Sequence, residues 1–217
     1  PRIIHSPDAR DALRLLRARE FDLVITMTRV GEMDVKAFGT EAKRVIEGLP
    51  VVMLSHNTRE LATLSAGDGI DRIFVWTGDS RILLSICKLL EDERNVENDV
   101  RDGDVQVILL IEDSRRFYSA YLPLLYTQLV NQTTRLMGEG GNLHEKLLRL
   151  RARAKILLAS DMNTAKSVID RYHNNIIGIF TDGKFPNQGG QRDTAGLELV
   201  SYAQEGHRYM PILFQSK

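Results

Sequence analysis

Four oxygen-bearing side chains in the second half of the sequence end or directly follow apolar, strand-like runs. Glu112 and Asp113 follow the run VQVILLI, Asp182 ends NIIGIFTD, and Ser216 follows PILFQ. Open α/β sheets carry their chemistry at the edge where the carboxyl ends of parallel strands meet. Carboxylates gathered there repel one another unless a divalent cation neutralises them, and ligands that are all oxygen suit Mg²⁺. The pattern therefore predicts a magnesium-assisted site for phosphoryl chemistry.

Strand-like and helix-like segments alternate along the whole chain. The strand-like segments are short apolar runs, and the segments between them repeat apolar residues at helical spacing. Continuous apolar strands separated by amphipathic helices are typical of a parallel sheet covered on both faces, so the sequence predicts an α/β fold. The predicted strands are residues 2–6, 21–27, 50–55, 71–76, 105–111, 155–160, 175–182 and 210–216, and the predicted helices are residues 8–20, 34–49, 57–69, 80–93, 114–137, 161–173 and 195–206.

Length and composition favour two domains. The chain has 217 residues, of which 43% are hydrophobic, and single domains usually hold about 100 to 150 residues. The segment DERNVENDVRDGD (92–104) is charged and ends in Asp-Gly-Asp, which is typical of a helix running into a linker. We predict a first domain at 1–98, a linker at 99–104 and a second domain at 105–217.

The two halves of the chain repeat the same strand pattern. LPVVMLS, ending at Ser55, matches MPILFQS, ending at Ser216, at an offset of 161 residues. FDLVITM, ending at Met27, matches IIGIFTD, ending at Asp182, at an offset of 155 residues. An insertion at 187–193 accounts most simply for the difference. Self-similarity of this kind indicates two copies of one βα design.

Four motifs follow one another in the second half. They are Glu112-Asp113 after its first strand, TDGKFP with Asp182 and Pro186 after its third, AGLEL at the start of the next helix, and PILFQS with Ser216 after its fourth strand. Together they resemble the receiver domain of bacterial two-component response regulators. More narrowly, FVWTGDSRILLSICKLLEDERNV and VILLIEDSRRFYSAYLPLLY resemble the amino-terminal receiver pair of phosphoenolpyruvate synthase-like proteins that bind PEP or pyruvate.

The resemblance covers nearly the whole chain as two tandem copies. It implies two flavodoxin-like, doubly wound parallel sheets with the strand order 2-1-3-4-5. Each copy is incomplete in this chain, because the first lacks its first strand and the second lacks its fifth strand and last helix. We therefore expect the chain to be a fragment of a longer polypeptide.

The resemblance also implies roles for individual residues. Asp182 corresponds to the phosphoacceptor, and Ser216 corresponds to the switch hydroxyl that contacts the phosphoryl group. Glu112, Asp113, Asp182 and the backbone carbonyl of Lys184 correspond to the ligands of Mg²⁺. The expected partner is a histidine kinase or phosphotransfer protein, and a downstream effector domain and a second copy of the chain are further partners that the resemblance implies.

The first copy departs from the receiver pattern. Met27 stands where the acceptor aspartate belongs, and Trp76 stands where the family has a lysine, while Ser55 keeps the pattern. A thioether cannot be phosphorylated, so the first copy is interpreted as a pseudo-receiver that packs or binds a partner.

Charge and hydropathy limit the other classes of function. The 29 basic and 29 acidic residues balance, which disfavours nucleic acid as a partner. No apolar run approaches the roughly 20 residues of a membrane span, and the sequence is interpreted as cytoplasmic. Beyond self-phosphorylation, we expect no enzymatic activity.

Two other functions remain open. The first is a phosphorylation-independent interaction or dimerisation module that regulates an attached enzyme. The second is a phosphohydrolase with Asp182 as nucleophile, which would need an acid/base aspartate where Lys184 stands. Structurally, Asp113 and Asp182 could also serve only as turn or cap residues.

Two further features carry structural predictions. The basic segment EKLLRLRARAK, including Arg153 and Lys155, is expected to be the solvated face of a helix. Pro123 is expected to bend or break its helix.

Overall fold

The computed structural model describes residues 2–56, 66–67, 69–138, 153–187, 190–192, 194–206 and 210–215. The chain divides into two compact units, residues 1–79 and 80–217, and both are built from parallel strands and helices. This confirms the predicted α/β class. Most of the predicted helix 57–69 lies outside the described residues. None of the helices in the described ranges is long and apolar enough to cross a membrane.

The first unit contains a three-stranded parallel sheet. Its two described helices begin at side-chain caps. Asp8 accepts a hydrogen bond from the backbone N–H of Asp11, and Asp34 accepts hydrogen bonds from those of Lys36 and Ala37. In chain order the elements are α1 (Ala9–Ala18), β1 (Val24–Met27), β2 (Arg29–Val30), β3 (Met33–Asp34), α2 (Val35–Val45), β4 (Val51–Ser55) and β5 (Arg72–Val75). The sheet order is β1-β4-β5, and β2 pairs with β3 as a short antiparallel ribbon.

The predicted strand at 2–6 does not form. Residues 2–6 have no regular secondary structure, and Ile3 is 81% exposed. A strand persists when its backbone groups find ladder partners. Among the described residues, β1 pairs with β4 and with no strand on its other side, so the segment 2–6 gains no ladder there.

The second unit contains a four-stranded parallel sheet. Its elements are α3 (Arg81–Gly103), β6 (Val107–Ile111), α4 (Arg115–Gly138), β7 (Lys155–Ala159), α5 (Met162–Tyr172), β8 (Ile176–Asp182), β9 (Phe185–Asn187), β10 (Gly190–Arg192), α6 (Ala195–Gly206) and β11 (Ile212–Gln215). The order is β11-β8-β6-β7, and β9 pairs antiparallel with β10. Alternate residues of the central strands pack with α5 and α6 into one core, including Leu109, Ile179 and Leu199.

Residues 99–104 do not form the predicted linker. Helix α3 continues to Gly103 and ends at Asp104, whose backbone is left-handed with a φ of 48°. Val96 is buried in the core of the second unit, and Val100 packs against that core. The charged residues that suggested a linker belong to a helix whose apolar side is buried in the second unit. The helix is therefore part of that unit, and the boundary between the two compact units falls after Asp79.

Pro123 does not break its helix. Helix α4 runs without interruption from Arg115 to Gly138. Leu122 and Tyr126, on either side of the proline, are almost completely buried, and tertiary packing of this kind supplies most of the stability of a helix in a protein. Thr127 donates a hydrogen bond from its hydroxyl to the carbonyl oxygen of Pro123 at 2.6 Å.

Arg153 and Lys155 form a buried ionic cluster instead of a solvated helix face. Asp92 on α3 has no exposed surface and accepts hydrogen bonds from the Arg153 guanidinium at 2.5 and 3.0 Å. The Tyr126 hydroxyl donates to the same carboxylate at 2.9 Å. The Lys155 ammonium lies 2.7 Å from Asp99. The prediction of a solvated face was wrong for these two cations, and residues 146–152 lie outside the described ranges.

Candidate metal centre

The parallel register of the second sheet brings the carboxyl ends of its strands to one level. Ile111 of β6 lies opposite Thr181 of β8, so Glu112 follows at the level of Asp182. Gln215 of β11 lies opposite Asp182 on the other side. The edge that the sequence pattern marked is therefore formed by three neighbouring strands.

Three carboxylates converge at this edge. Glu112, Asp113 and Asp182 each offer one carboxylate oxygen, and these oxygens all lie within 4.8 Å of one another. Glu112 is 2% exposed and Asp182 is 4% exposed, whereas Asp113 is half-buried. The structure thus brings together the three side chains that the sequence analysis named as metal ligands.

Backbone hydrogen bonds fix the Glu112 end of the cluster. The backbone N–H of Glu112 donates to the carbonyl oxygen of Ala159 on β7 at 3.0 Å. Its side-chain Oε1 accepts from the backbone N–H of Ser114 at 3.0 Å. Because α4 begins at the next residue, the turn from strand to helix holds the carboxylate in place.

The Asp182 end is held by the glycine that follows it. The N–H of Gly183 donates to Asp182 Oδ1 at 2.6 Å and to the carbonyl oxygen of Gln215 at 3.1 Å. The Thr181 hydroxyl donates to the backbone oxygen of Asp182 at 2.9 Å. Phe185, which has no exposed surface, anchors the chain three residues after the carboxylate.

Gly196 allows α6 to approach this loop closely. A Cβ atom at position 196 would lie 2.6 Å from the backbone oxygen of Asp182 and 2.8 Å from the ring of Phe214. Both distances are shorter than real Cβ contacts, so a larger residue would displace the loop or the helix. The motif AGLEL is thus explained in part by packing beside the acidic cluster.

The cluster has the charge and the ligand atoms of a site for a hard divalent cation. Two unit charges about 5 Å apart near a protein surface repel by about 3 kcal/mol, and here two of three carboxylates are buried. A divalent cation between them converts this repulsion into attraction. Ligands that are all carboxylate oxygen are typical of sites for Mg²⁺, Ca²⁺ and Mn²⁺.

Of the other two site residues named from the sequence, Lys184 lies within the described residues and Ser216 does not. Lys184 is exposed and lies between β8 and β9, two residues after Asp182. Ser216 lies outside the described residues. In the first unit, Met27 ends β1, Ser55 is buried at the end of β4, and Trp76 follows β5.

The first unit differs from the second at the corresponding edge. Its strand ends carry Met27, Ser55 and Trp76, and the ring of Trp76 meets that of His56 edge to face, with centroids 6.2 Å apart. Within the described ranges of residues 2–79, no group of three metal-ligating side chains gathers.

Sequence reasoning missed a polar pair beside the acidic cluster. Gln215 donates a side-chain hydrogen bond to the hydroxyl oxygen of Tyr121 on α4. The helical spacing of the aromatic residues of α4 favours a packing stripe. The available signal was the position of Tyr121, two helical turns beyond Ser114 and therefore on the side of the helix that faces the site.

No protein-family model matches the sequence, and no curated protein matches it. Among solved structures, a glucose-galactose binding protein from Geobacillus stearothermophilus is similar to the chain at 12% sequence identity, with a TM-score of 0.23. The alignment covers 96% of this chain and 62% of that protein, so the chain spans less than two thirds of its length. A similarity at this level supports no conclusion about fold or function.

Proposed function

We propose that the second unit is a response-regulator receiver module of flavodoxin-like fold, in which Asp182 accepts a phosphoryl group in two-component signal transduction. The observation that carries this proposal is the convergence of Glu112, Asp113 and Asp182, with ligand oxygens within 4.8 Å of one another. The strand order β7-β6-β8-β11 supports it, since the resemblance leads us to expect 2-1-3-4 for the first four strands.

The residues of the cluster have separate roles in the proposed reaction. A carboxylate oxygen of Asp182 attacks the phosphorus of a phosphohistidine on the kinase or phosphotransfer protein. The P–N bond breaks as the O–P bond forms, and the imidazole nitrogen takes the electron pair of the broken bond. Glu112 and Asp113, with Asp182 and the backbone carbonyl of Lys184, would hold Mg²⁺. The bound cation would neutralise the negative charge on the oxygens of the phosphoryl group during its transfer.

The first unit has a different role in this proposal. Its strand ends offer Met27 and Trp76, and neither side chain can accept a phosphoryl group or bind Mg²⁺. This supports a pseudo-receiver that binds a partner without being phosphorylated, such as a downstream effector domain or a second copy of the chain. The alternative of a purely interacting module therefore applies best to residues 1–79. We place the protein in the cytoplasm, where histidine kinases deliver phosphoryl groups.

The phosphohydrolase alternative has less support. It needs a general acid two residues after the nucleophile, and that position carries Lys184. The proposed activity is thus limited to self-phosphorylation from a phosphoryl donor.

Acetyl phosphate with Mg²⁺ tests the proposal directly. Intact-mass spectrometry should show the addition of one phosphoryl group to the wild-type chain and no addition to Asp182→Asn. Asp161→Asn is the matched control, because Asp161 also follows a strand but caps α5 through the N–H of Thr164, and asparagine caps equally well. A phosphorylated Asp182→Asn variant, or an unmodified wild-type chain, would refute the proposed function.

A further inference from the structure

Glu112, Asp182 and Gln215 lie side by side at the carboxyl edge of the second sheet. Gln215 is the register partner of Asp182, and Glu112 follows the residue opposite Thr181. Adjacent residues of neighbouring strands point to the same face of a sheet. The Gln215 amide therefore shares a face with two of the three carboxylates.

Tyr121 holds this amide. Helix α4 begins at Arg115, two residues after Asp113, and Tyr121 lies nearly two turns along it. Its hydroxyl oxygen accepts the hydrogen bond from Gln215 Nε2. The ring of Tyr121 stacks on that of Phe117, with centroids 6.0 Å apart, so the position of the hydroxyl is itself supported by packing.

A phosphoryl group on Asp182 would need neutral hydrogen-bond donors as well as a cation. It brings three anionic oxygens into a place already occupied by carboxylates, and donors aimed at such oxygens are what stabilise transferred phosphoryl groups. The side chain of Gln215 carries two N–H groups, and Tyr121 takes one of them. A hydrogen bond from the second N–H to an oxyanion would add no charge to the cluster.

We propose that Gln215 binds the phosphoryl oxygens of the group on Asp182 and that Tyr121 is the positioning residue for its amide. This inference rests on the proposed function. It assigns a role to a residue pair that is not among the site residues named from the sequence.

Two ligands test the inference separately. Mg²⁺ reports on binding of the cation, and beryllofluoride, which mimics a phosphoryl group, reports on binding of the oxyanion. Calorimetric titrations on the full 217-residue chain would measure the affinity for each. Gln215→Leu should leave Mg²⁺ affinity within about twofold of wild type and lower beryllofluoride affinity by about tenfold or more, as expected for a lost hydrogen bond to a charged group. Tyr121→Phe keeps the stacked ring and should lower beryllofluoride affinity by about threefold to fivefold.

Leu213→Ala is the matched control, because Leu213 is an exposed residue of the same strand and should change neither affinity. Unchanged beryllofluoride affinity in Gln215→Leu would refute the role of Gln215 while leaving the proposed function intact. An equal loss of both affinities would indicate a purely structural role and would also refute it. If the wild-type chain binds no beryllofluoride in the presence of Mg²⁺, the proposed function and this inference both fail.

Discussion

Glu112 combines two opposing effects in one side chain. It is buried, and its carboxylate lies within 4.8 Å of two others. Without a cation the charge therefore destabilises the fold, and with a cation it contributes a ligand. This conflict between stability and binding is common where function requires like charges to gather.

Glu112→Gln should separate these effects. The amide keeps an acceptor for the N–H of Ser114 but removes one charge, so the metal-free protein should gain about 1 kcal/mol or more in free energy of unfolding. Mg²⁺ affinity should fall by at least about tenfold, since a charged ligand is lost. Denaturant titrations with EDTA and with Mg²⁺ would measure both effects.

Glu205→Gln serves as the control for Glu112→Gln, because Glu205 is exposed on α6 and should alter neither quantity. If Glu112→Gln lowers the free energy of unfolding of the metal-free protein, the argument from charge repulsion is wrong.

At the scale of elements, α3 is bound to the second unit by both apolar and ionic contacts. Val96 lies in the core of that unit, Asp92 accepts hydrogen bonds from Arg153 and Tyr126, and Arg171 of α5 lies 2.7 Å from Glu97. A buried ion pair is costly to form and more costly to break, because the remaining partner keeps its charge in a dry site. Asp92 also accepts a hydrogen bond from the backbone N–H of Ile156 on β7 at 3.0 Å, and it thus fixes α3 to β7 and α4.

Asp92→Ala should destabilise the protein by about 3–5 kcal/mol, because it leaves the Arg153 guanidinium buried without its carboxylate. Asp102→Ala is the control on the same helix, since Asp102 pairs with Arg101 at an exposed position and should have little effect. Urea unfolding monitored by circular dichroism would measure the difference. Equal stability of the two variants would show that the buried cluster does not hold α3.

The same cluster predicts a dependence on alkaline pH. Burial, followed by the nearby Asp92 carboxylate, raises the pKa of Tyr126 well above 10.0. A folded-state pKa above the unfolded value gives a stabilisation that is complete below about pH 10 and is lost as the pH rises through the folded value. Tyr126→Phe should therefore lose less stability than wild type as the pH rises above about 10.

Tyr202→Phe is a useful comparison for Tyr126→Phe. A hydrogen bond to Asp170 raises the pKa of Tyr202, but this hydrogen bond is exposed to solvent, so solvent screening should make the pH effect smaller. An identical pH profile for wild type and Tyr126→Phe would contradict the assignment.

At the scale of the whole molecule, the two units should respond differently to a divalent cation. The acidic cluster belongs to residues 80–217, and the described strand ends of the first unit carry no comparable group. A ligand stabilises the state that binds it. Mg²⁺ should therefore slow hydrogen exchange at the ends of β6 and β8 and at the start of α4.

Strands β4 and β5 of the first unit should exchange at the same rate with Mg²⁺ and with EDTA. Hydrogen exchange followed by mass spectrometry would resolve the strands separately. Protection of β4 or β5 equal to that of β8 would refute a metal centre confined to the second unit.

The sequence by itself determined the α/β class, most of the strands and helices, and the three acidic residues that share an edge. These features depend on local periodicity and on the regular geometry of parallel strands, which places every carboxyl end on the same side. Even the convergence of Glu112 with Asp182, which are far apart in the chain, follows from that geometry.

Only the tertiary structure decided the role of α3, the absence of a strand at 2–6, the continuity of α4 through Pro123 and the burial of Arg153. Charge patterns do not reveal whether a polar residue has a partner distant in sequence, and Asp92 and Arg153 are 61 residues apart. The pairing of Tyr121 with Gln215 has the same cause. A side chain in a helix and one in a strand meet only when packing sets the angle and height of the helix over the sheet.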